Sequence, residues 1–335
     1  MKKLLVLILV LLIITTATVL WCLNEDMQKQ LNSPLNLTED SYLKIRSGQS
    51  LKSLANTLVE KSWIPHPYYF IYMGRKQGKA SLLKTGEYDI QSGTTPLQLL
   101  DVLVAGKVRQ YSLTIPEGWS FRQIIQAVTD NPNLKKTLSS NDPMTVMAEL
   151  GYPGHFAEGR IFPDTYLFPA GTSDKDYLRR AIQMQENILH NEWENRDSNL
   201  PYSSSYEALI MASIIEKETG IVEERGKIAG VFVRRLRLKM KLQTDPTVIY
   251  AMADTFDGDI RRKDLSIDSP YNTYKYRGLP PTPIASPGRE AIYAAMHPEA
   301  GTSLYFVAKG DGSHYFSDNL KQHNRAVAKY QLKKR

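Results

Sequence analysis

Cysteine is almost absent. The one thiol in 335 residues, Cys22, lies inside an apolar N-terminal run. That excludes an intrachain disulfide and any site with several thiolate ligands. A folded region free of cysteine suits an oxidising compartment without requiring one. No two of the six histidines stand three or four residues apart, so the helical zinc pair is lacking as well. There is no Gly-x-Ser-x-Gly elbow and no phosphate-binding P-loop. An aromatic RNA-binding signature is missing too, and the basic tail YQLKKR is short, which speaks against a nucleic-acid partner. No metal and no cofactor is expected.

Charge of one sign is only mildly in excess: 42 basic against 35 acidic residues, net +7. A solvated basic surface accounts for this, and the sharper reading is attraction to an anionic polymer or membrane surface. Apolar residues make up 42 % and charged residues 23 %, an ordinary globular mix, in a chain longer than one compact domain needs.

A long uncharged run is present at the start. Lys2 and Lys3 precede LLVLILVLLIITTATVLWCL, residues 4–23, long enough to cross a hydrocarbon core as a helix. The flanking lysines place the N-terminus in the cytoplasm. The run exceeds a signal-peptide core and ends in Trp21-Cys22-Leu23 rather than small residues, so a retained single-pass anchor is expected instead of a cleaved leader. Residues 1–3 then form a cytoplasmic tail, 4–23 the anchor and 24–40 a polar linker.

Three stretches that follow align on a glycine: YLKIRSGQSLKSLANTLVE, GEYDIQSGTTPLQLLDVLVAG and YSLTIPEGWSFRQIIQAVTD. Before Gly48, Gly93 and Gly118, apolar residues alternate as in a strand. Two positions after each stands a helix-capping residue, Ser50, Thr95 or Ser120. Leu54 and Leu58, Leu99 and Leu103, Ile124 and Val128 then recur at helical spacing. Each unit reads as strand, glycine turn, capped helix. A small α+β packing unit without ligand satisfies that pattern. The first copy, with HPYYFIYMGRK and GEYDI after it, also resembles a LysM module over residues 41–106, which implies contact with N-acetylglucosamine-containing glycan. Residues 107–154 read as a βα connection and 155–335 as the catalytic domain.

In the C-terminal half, DKDYLRRAIQMQENILHNEWENR reads as a helix opened by Asp174. SYEALIMASIIEKETG and VEERGKIAGVFVRRLRLKM follow as helices, with Gly220 as the cap of the first. After Met240 loops dominate, and SLYFVAK and HYFSD around GDG read as a hairpin. The fold class is α+β: one transmembrane helix, a small LysM-like βα subdomain, then a helical body with a loop-and-hairpin face.

Two glutamates sit at the end of the apolar helix. Ile215, Ile214 and Met211 share the face of Glu218, and Ser213, Ala212 and Leu209 that of Glu216. A carboxyl against Ile and Met is desolvated, which raises its pKa and suits a general acid. A solvated last turn with Lys217 as local partner explains both residues equally well from position alone. Replacing either by Gln is expected to leave the fold intact.

MASIIEKET, VFVRRLRLKMKLQTDPTVIY, SPYNTYKYRGLPPTPIASPG, FPDTY and HNRAV together resemble the YceG-like family over nearly the whole chain. That resemblance implies a membrane-bound lytic transglycosylase acting inside peptidoglycan strands. It cuts the β-1,4 bond between N-acetylmuramic acid and N-acetylglucosamine and leaves a 1,6-anhydro end. Its catalytic acid falls on Glu218. One carboxyl is then enough, where ordinary glycosidases need two. Asp245 reads as an orienting residue within QTDPT. The resemblance puts Gln243, Thr244, Asn272, Thr273 and Tyr274 near the cleft, and His314, His323 and Asn324 are further polar candidates for substrate binding. Glycan strands are the implied partner, with cell-wall synthases of the penicillin-binding class as a family-level expectation. The cell inner membrane with a periplasmic catalytic domain is the implied location. A catalytically silent glycan-binding scaffold and a hydrolytic muramidase are the rival readings.

Overall fold

The structure is a computed structural model that describes residues 2–332. The chain divides into two compact units. One holds the chain up to Tyr111 together with Phe168–Gly171, and the other holds Ser112–Leu167 and the chain from Thr172 onward.

The first unit begins with α1, Lys2–Asn32. Its best window has a mean hydropathy of 2.9 and none of it is buried, and the helix is long and apolar enough to cross a hydrocarbon core. The helix continues without a break through residues 24–32, and Leu31 and Leu35 near its end are buried. β1 (Ser41–Ile45), α2 (Leu51–Glu60), α3 (Tyr68–Lys76), β2 (Gly86–Ile90) and α4 (Pro96–Ala105) follow. β1 and β2 pair antiparallel with Leu43 opposite Tyr88. The apolar faces of the three helices close on that pair: Leu54, Leu58, Phe70, Leu99 and Leu103 join Leu43, Tyr88 and Ile90 in one core. Gly74 lets α3 approach α2, since a Cβ there would come within 2.6 Å of the Leu51 side chain.

The repeated pattern has a local cause in each copy. Gly48, Gly93 and Gly118 have φ of 74°, 90° and 74°, the left-handed region where glycine carries no steric penalty. Ser50, Thr95 and Ser120 then accept hydrogen bonds from the backbone N–H groups of Ser53, Gln98 and Gln123 at 3.1, 3.2 and 3.4 Å. These satisfy donors that the first helical turn leaves free. The third copy consists of β3 (Gln110–Thr114) and α5 (Phe121–Asp130).

The second unit is mostly helical. α6 (Pro143–Leu150) and the first residues of β4 (Thr165–Pro169), the strand paired with β3, lead to α7 (Asp174–Glu194), α8 (Ser205–Glu218) and α9 (Val222–Arg237). α10 (Asp245–Met252), α11 (Arg289–Met296), β5 (Tyr305–Ala308), β6 (His314–Ser317) and α12 (Leu320–Tyr330) complete it. Every residue of α8 from Ala208 to Ile215 is buried, so this helix is the core rather than a face of it. α11 packs on α8 and α9. β5 and β6 form the hairpin expected around GDG, with Phe306 opposite Phe316.

α7 opens at Asp174 as expected, with Ser173 as its cap. The buried Asp174 carboxylate accepts from the Thr137 hydroxyl and from the N–H groups of Thr137 and Leu138, and these bonds hold its pKa down against the cost of burial. Gly220 is not the cap of α8. The helix stops at Glu218 because Thr219 is extended, with φ −147° and ψ 137°, and its hydroxyl accepts from the Ile221 N–H at 3.0 Å. The catalytic candidate is therefore the last helical residue, and the chain leaves the helix immediately beyond it.

Candidate active site

A cleft of about 480 Å³ opens in the second unit where the ends of α8 and α9 meet the start of α10, the β5–β6 hairpin and α12. Glu218 forms part of its wall. The side chain is only partly open to the cleft, and protein encloses it elsewhere. Burial pushes its carboxyl up to about 7, with the Asp245 charge adding to the rise and the Thr244 hydrogen bond and Arg235 opposing it.

The loop before α10 is shaped to present Thr244. Gln243 has φ 50°, a left-handed conformation that a non-glycine residue adopts at a steric cost and that clusters at functional sites. Its N–H bonds the Thr273 carbonyl at 3.2 Å. The Thr244 N–H donates to the Thr273 hydroxyl at 3.1 Å, that hydroxyl meets Thr247 Oγ1 at 2.9 Å, and Thr247 Oγ1 donates to the Thr244 carbonyl at 2.8 Å. Held by this ring, the Thr244 hydroxyl donates to Glu218 Oε1. Asn272 supports the same loop from inside. Its amide donates to the carbonyls of Leu265 and Ile267 at 3.1 and 2.8 Å, and its Oδ1 accepts from the Tyr274 N–H at 2.9 Å. Asn272 and Thr273 are thus buried props, and their side-chain bonds are spent within the protein.

Gln243, Asp245, Tyr274, His314, His323 and Asn324 all reach the cleft with Glu218. The Tyr274 hydroxyl donates to Asp245 Oδ1 at 2.5 Å, which fixes the second carboxylate on the rim. His314 Nδ1 lies 2.7 Å from Glu224 Oε2, and its N–H donates to the other oxygen at 3.0 Å. His323 stacks on Tyr305 with centroids 5.2 Å apart. Burial and the nearby Arg235 charge hold its pKa down. Its Nδ1 is buried without a hydrogen-bond partner among the described residues.

Arg235 was not singled out by sequence reading. It lies in the last turn of α9, and its guanidinium is buried under the Tyr305 ring, 5.1 Å from the centroid. Its Nε donates to the Leu304 carbonyl at 2.7 Å and Nη1 to the Leu242 carbonyl at 2.6 Å. A fixed positive charge therefore faces Glu218 from the cleft wall. Within VFVRRLRLKM three arginines compete for attention, and nothing local distinguishes the one that turns inward.

Glu216 points elsewhere. It forms an ion pair with Arg225 at 3.1 Å, both side chains 6 % exposed, and accepts from the Gly288 N–H at 2.9 Å. A Cβ at Gly288 would fall 1.8 Å from Oε1 at the end of the Glu117 side chain, which would have to swing aside. Neither glutamate is the solvated last-turn residue that position alone allowed, and a change at Glu216 is not structurally neutral. A third carboxyl, Glu158, is buried between the Phe121 N–H at 2.9 Å and the Tyr250 hydroxyl at 3.1 Å. Burial pushes it up to about 7 as well.

Comparison with known proteins places this cleft in a family. The chain is 34 % identical over 324 residues to the endolytic murein transglycosylase of Bacillus subtilis (strain 168), covering 91 % of this chain and 87 % of that protein. It is 28 % identical to the endolytic murein transglycosylase of Streptococcus pneumoniae serotype 2, covering 89 % of this chain and 60 % of that longer protein. A crystal structure of a YceG-like protein from Listeria monocytogenes superposes with a TM-score of 0.54 at 30 % identity, over 86 % of this chain and 99 % of that one. The YceG-like family profile matches residues 43–329, and with these relatives beside it, the chain belongs to the YceG-like family.

Proposed function

We propose that this chain is a membrane-anchored lytic transglycosylase that cuts the β-1,4 bond between N-acetylmuramic acid and N-acetylglucosamine within peptidoglycan strands, with Glu218 making both proton transfers. The observation that carries this is a carboxyl poised near pH 7 on the wall of a polar cleft. A neutral Glu218 gives its proton to the leaving glycosidic oxygen as the bond to C1 breaks. The carboxylate left behind then takes the proton of the muramic 6-hydroxyl as that oxygen closes onto C1. The acid is regenerated, no water is consumed, and no second carboxylate takes part.

The surroundings suit both halves of that cycle. Arg235 and the Thr244 hydroxyl steady the transient carboxylate, while burial and the Asp245 charge favour return to the neutral acid. Asp245 orients the rim through Tyr274. Gln243 and Asn324 on the cleft wall, with the His323 ring beside them, offer polar contacts to sugar hydroxyls and acetamido groups. The βααβ arrangement of β1, α2, α3 and β2 supports a LysM-like module that holds the glycan strand near the membrane. The N-terminal lysines support a cytoplasmic N-terminus, and with it a periplasmic catalytic domain on an inner-membrane anchor. Cell-wall synthases that extrude new strands are the fitting protein partners.

The hydrolytic reading has one observation in its favour, that Asp245 lines the same cleft. Mass analysis of muropeptides released from purified sacculi separates the possibilities. Anhydro ends are expected. Reducing ends, one water heavier, would replace this mechanism with hydrolysis, and no release would leave a binding scaffold.

A further inference from the structure

α3 of the first unit leaves one face uncovered. Tyr68, Tyr72, Arg75 and Lys76 follow one another at helical spacing and are all exposed, Tyr68 at 72 % and Tyr72 at 51 %. Phe70 and Gly74 on the other side are buried against the core. Ile71 lines a shallow groove with the same four residues, and the Lys76 ammonium stands 5.7 Å from the centre of the Tyr72 ring. Two tyrosines and two cations on a single face are more than an ordinary solvated surface asks for.

Its position identifies what covers it. The uncharged run of α1 ends at Leu23. At the helical rise, Asp26 lies about 4.5 Å beyond that point. The Tyr69 hydroxyl donates to Asp26 Oδ2 at 2.9 Å, so α3 is tied to α1 at that height. The polar layer on each side of a bilayer core is roughly 5–7 Å thick. Tyr68 and Tyr72, within one turn of Tyr69, therefore start at headgroup depth, where tyrosine is enriched. Arg75 and Lys76 extend further on long side chains, and basic residues at that depth are attracted to anionic lipid. The burial of Leu31 and Leu35 in the same unit holds the end of α1 in place.

We infer that the Tyr68–Tyr72–Arg75–Lys76 face of α3 lies on the membrane that α1 crosses and binds its anionic phospholipid headgroups, pinning the first unit to the bilayer surface. This rests on α1 being a retained anchor. Stacking of the tyrosines on sugar rings is the competing use of the face, and the paired cations and the headgroup depth favour lipid.

The test uses the full chain with Cys22→Ser and Tyr68→Cys, labelled at position 68 with a fluorescent probe. It is reconstituted into vesicles of phosphatidylcholine alone or mixed with phosphatidylglycerol, each carrying a headgroup-nitroxide lipid. Quenching is expected to be strong with phosphatidylglycerol. It should fall several-fold in phosphatidylcholine, or in the Arg75→Glu, Lys76→Glu double variant. Equal quenching in both lipids and both charge forms overturns the inference. So does a double variant that loses sacculus retention while its quenching persists, since glycan would then be the occupant. Flotation with the vesicles reports the anchor separately: a chain that does not float has no anchor, and the inference falls with it.

Discussion

The two sides of the last turn of α8 carry the same residue type in opposite environments. On one side Glu216 meets the buried guanidinium of Arg225 and the Gly288 N–H. Both its oxygens are occupied, and its side chain is 6 % exposed. On the other, Glu218 has one hydrogen bond, from Thr244, and a cleft in front of it. Burial raises both carboxyls, but Arg225 and the Gly288 bond draw Glu216 back toward its charged form. A carboxyl whose two oxygens are both bonded within the protein holds structure together. A half-bonded one facing a cleft, pushed up to about 7, is able to give up a proton. Two residues of separation, about 200° around a helix, suffice for the difference.

The sharpest way to break that comparison is Glu218→Gln. The amide keeps the shape and cannot carry the proton, so product release from sacculi should fall by at least ~10³–10⁴-fold, since both transfers pass through one group. Melting should be unchanged or slightly raised, because the cost of enclosing a carboxylate is removed. Retained activity would move the acid to another carboxyl. Glu216→Gln should do the reverse. Removing one partner of a buried ion pair typically costs ~3–5 kcal/mol, and Glu117, 3.5 Å from Arg225, compensates part of that. Denaturant unfolding should show the loss, while activity per folded molecule stays within a few-fold. Loss of activity at full stability would reverse the two roles.

Glu158 extends the contrast to a carboxyl that is buried without a cleft. Its folded pKa is about 7 against 4.5 for the free group. The folded state binds the extra proton, so stability should decline as pH rises from about 4.5 to 7 and level off above. The span is ~3 kcal/mol. Glu158→Gln should flatten that slope in melting curves taken across the window, and an unaltered slope would assign it to other groups. The smallest effect concerns Asp245, which contributes to the raised pKa of Glu218. The wild-type rate should decline above about pH 7 as the acid ionises. Asp245→Asn, lacking that charge, should move the decline to lower pH. A decline that stays in place would mean the Tyr274 bond, not the charge, is what Asp245 supplies.

Local signals were readable where local physics decides. The three glycine turns and their Ser or Thr caps depend on residues within a few positions of each other, and the GDG hairpin likewise. The apolar face of Glu218 was also legible, since helical spacing brings Met211, Ile214 and Ile215 together. The family resemblance puts Asn272 and Thr273 near the cleft, but only their bonds show that they serve the loop from within: Thr273 to Thr244 and Thr247, and Asn272 to Leu265, Ile267 and Tyr274. The cap of α8 falls one residue short of Gly220, a good capping type, because Thr219 is already extended.

By itself the sequence determined the alternation of strand and capped helix, a carboxyl at the rim of an apolar helix, and the long apolar helix at the start, though not its continuation to Asn32. All of these follow from periodicity and from backbone preferences that act over one or two turns. The tertiary structure alone decided which glutamate faces a cleft and what stands opposite it. Thr244 reaches Glu218 from 26 residues away, Gly288 reaches Glu216 from 72, and Arg235 is aimed by carbonyls of Leu242 and Leu304. Desolvation and charge at a site are sums over neighbours in space, and a linear pattern contains those neighbours only when the fold happens to keep them close in the chain.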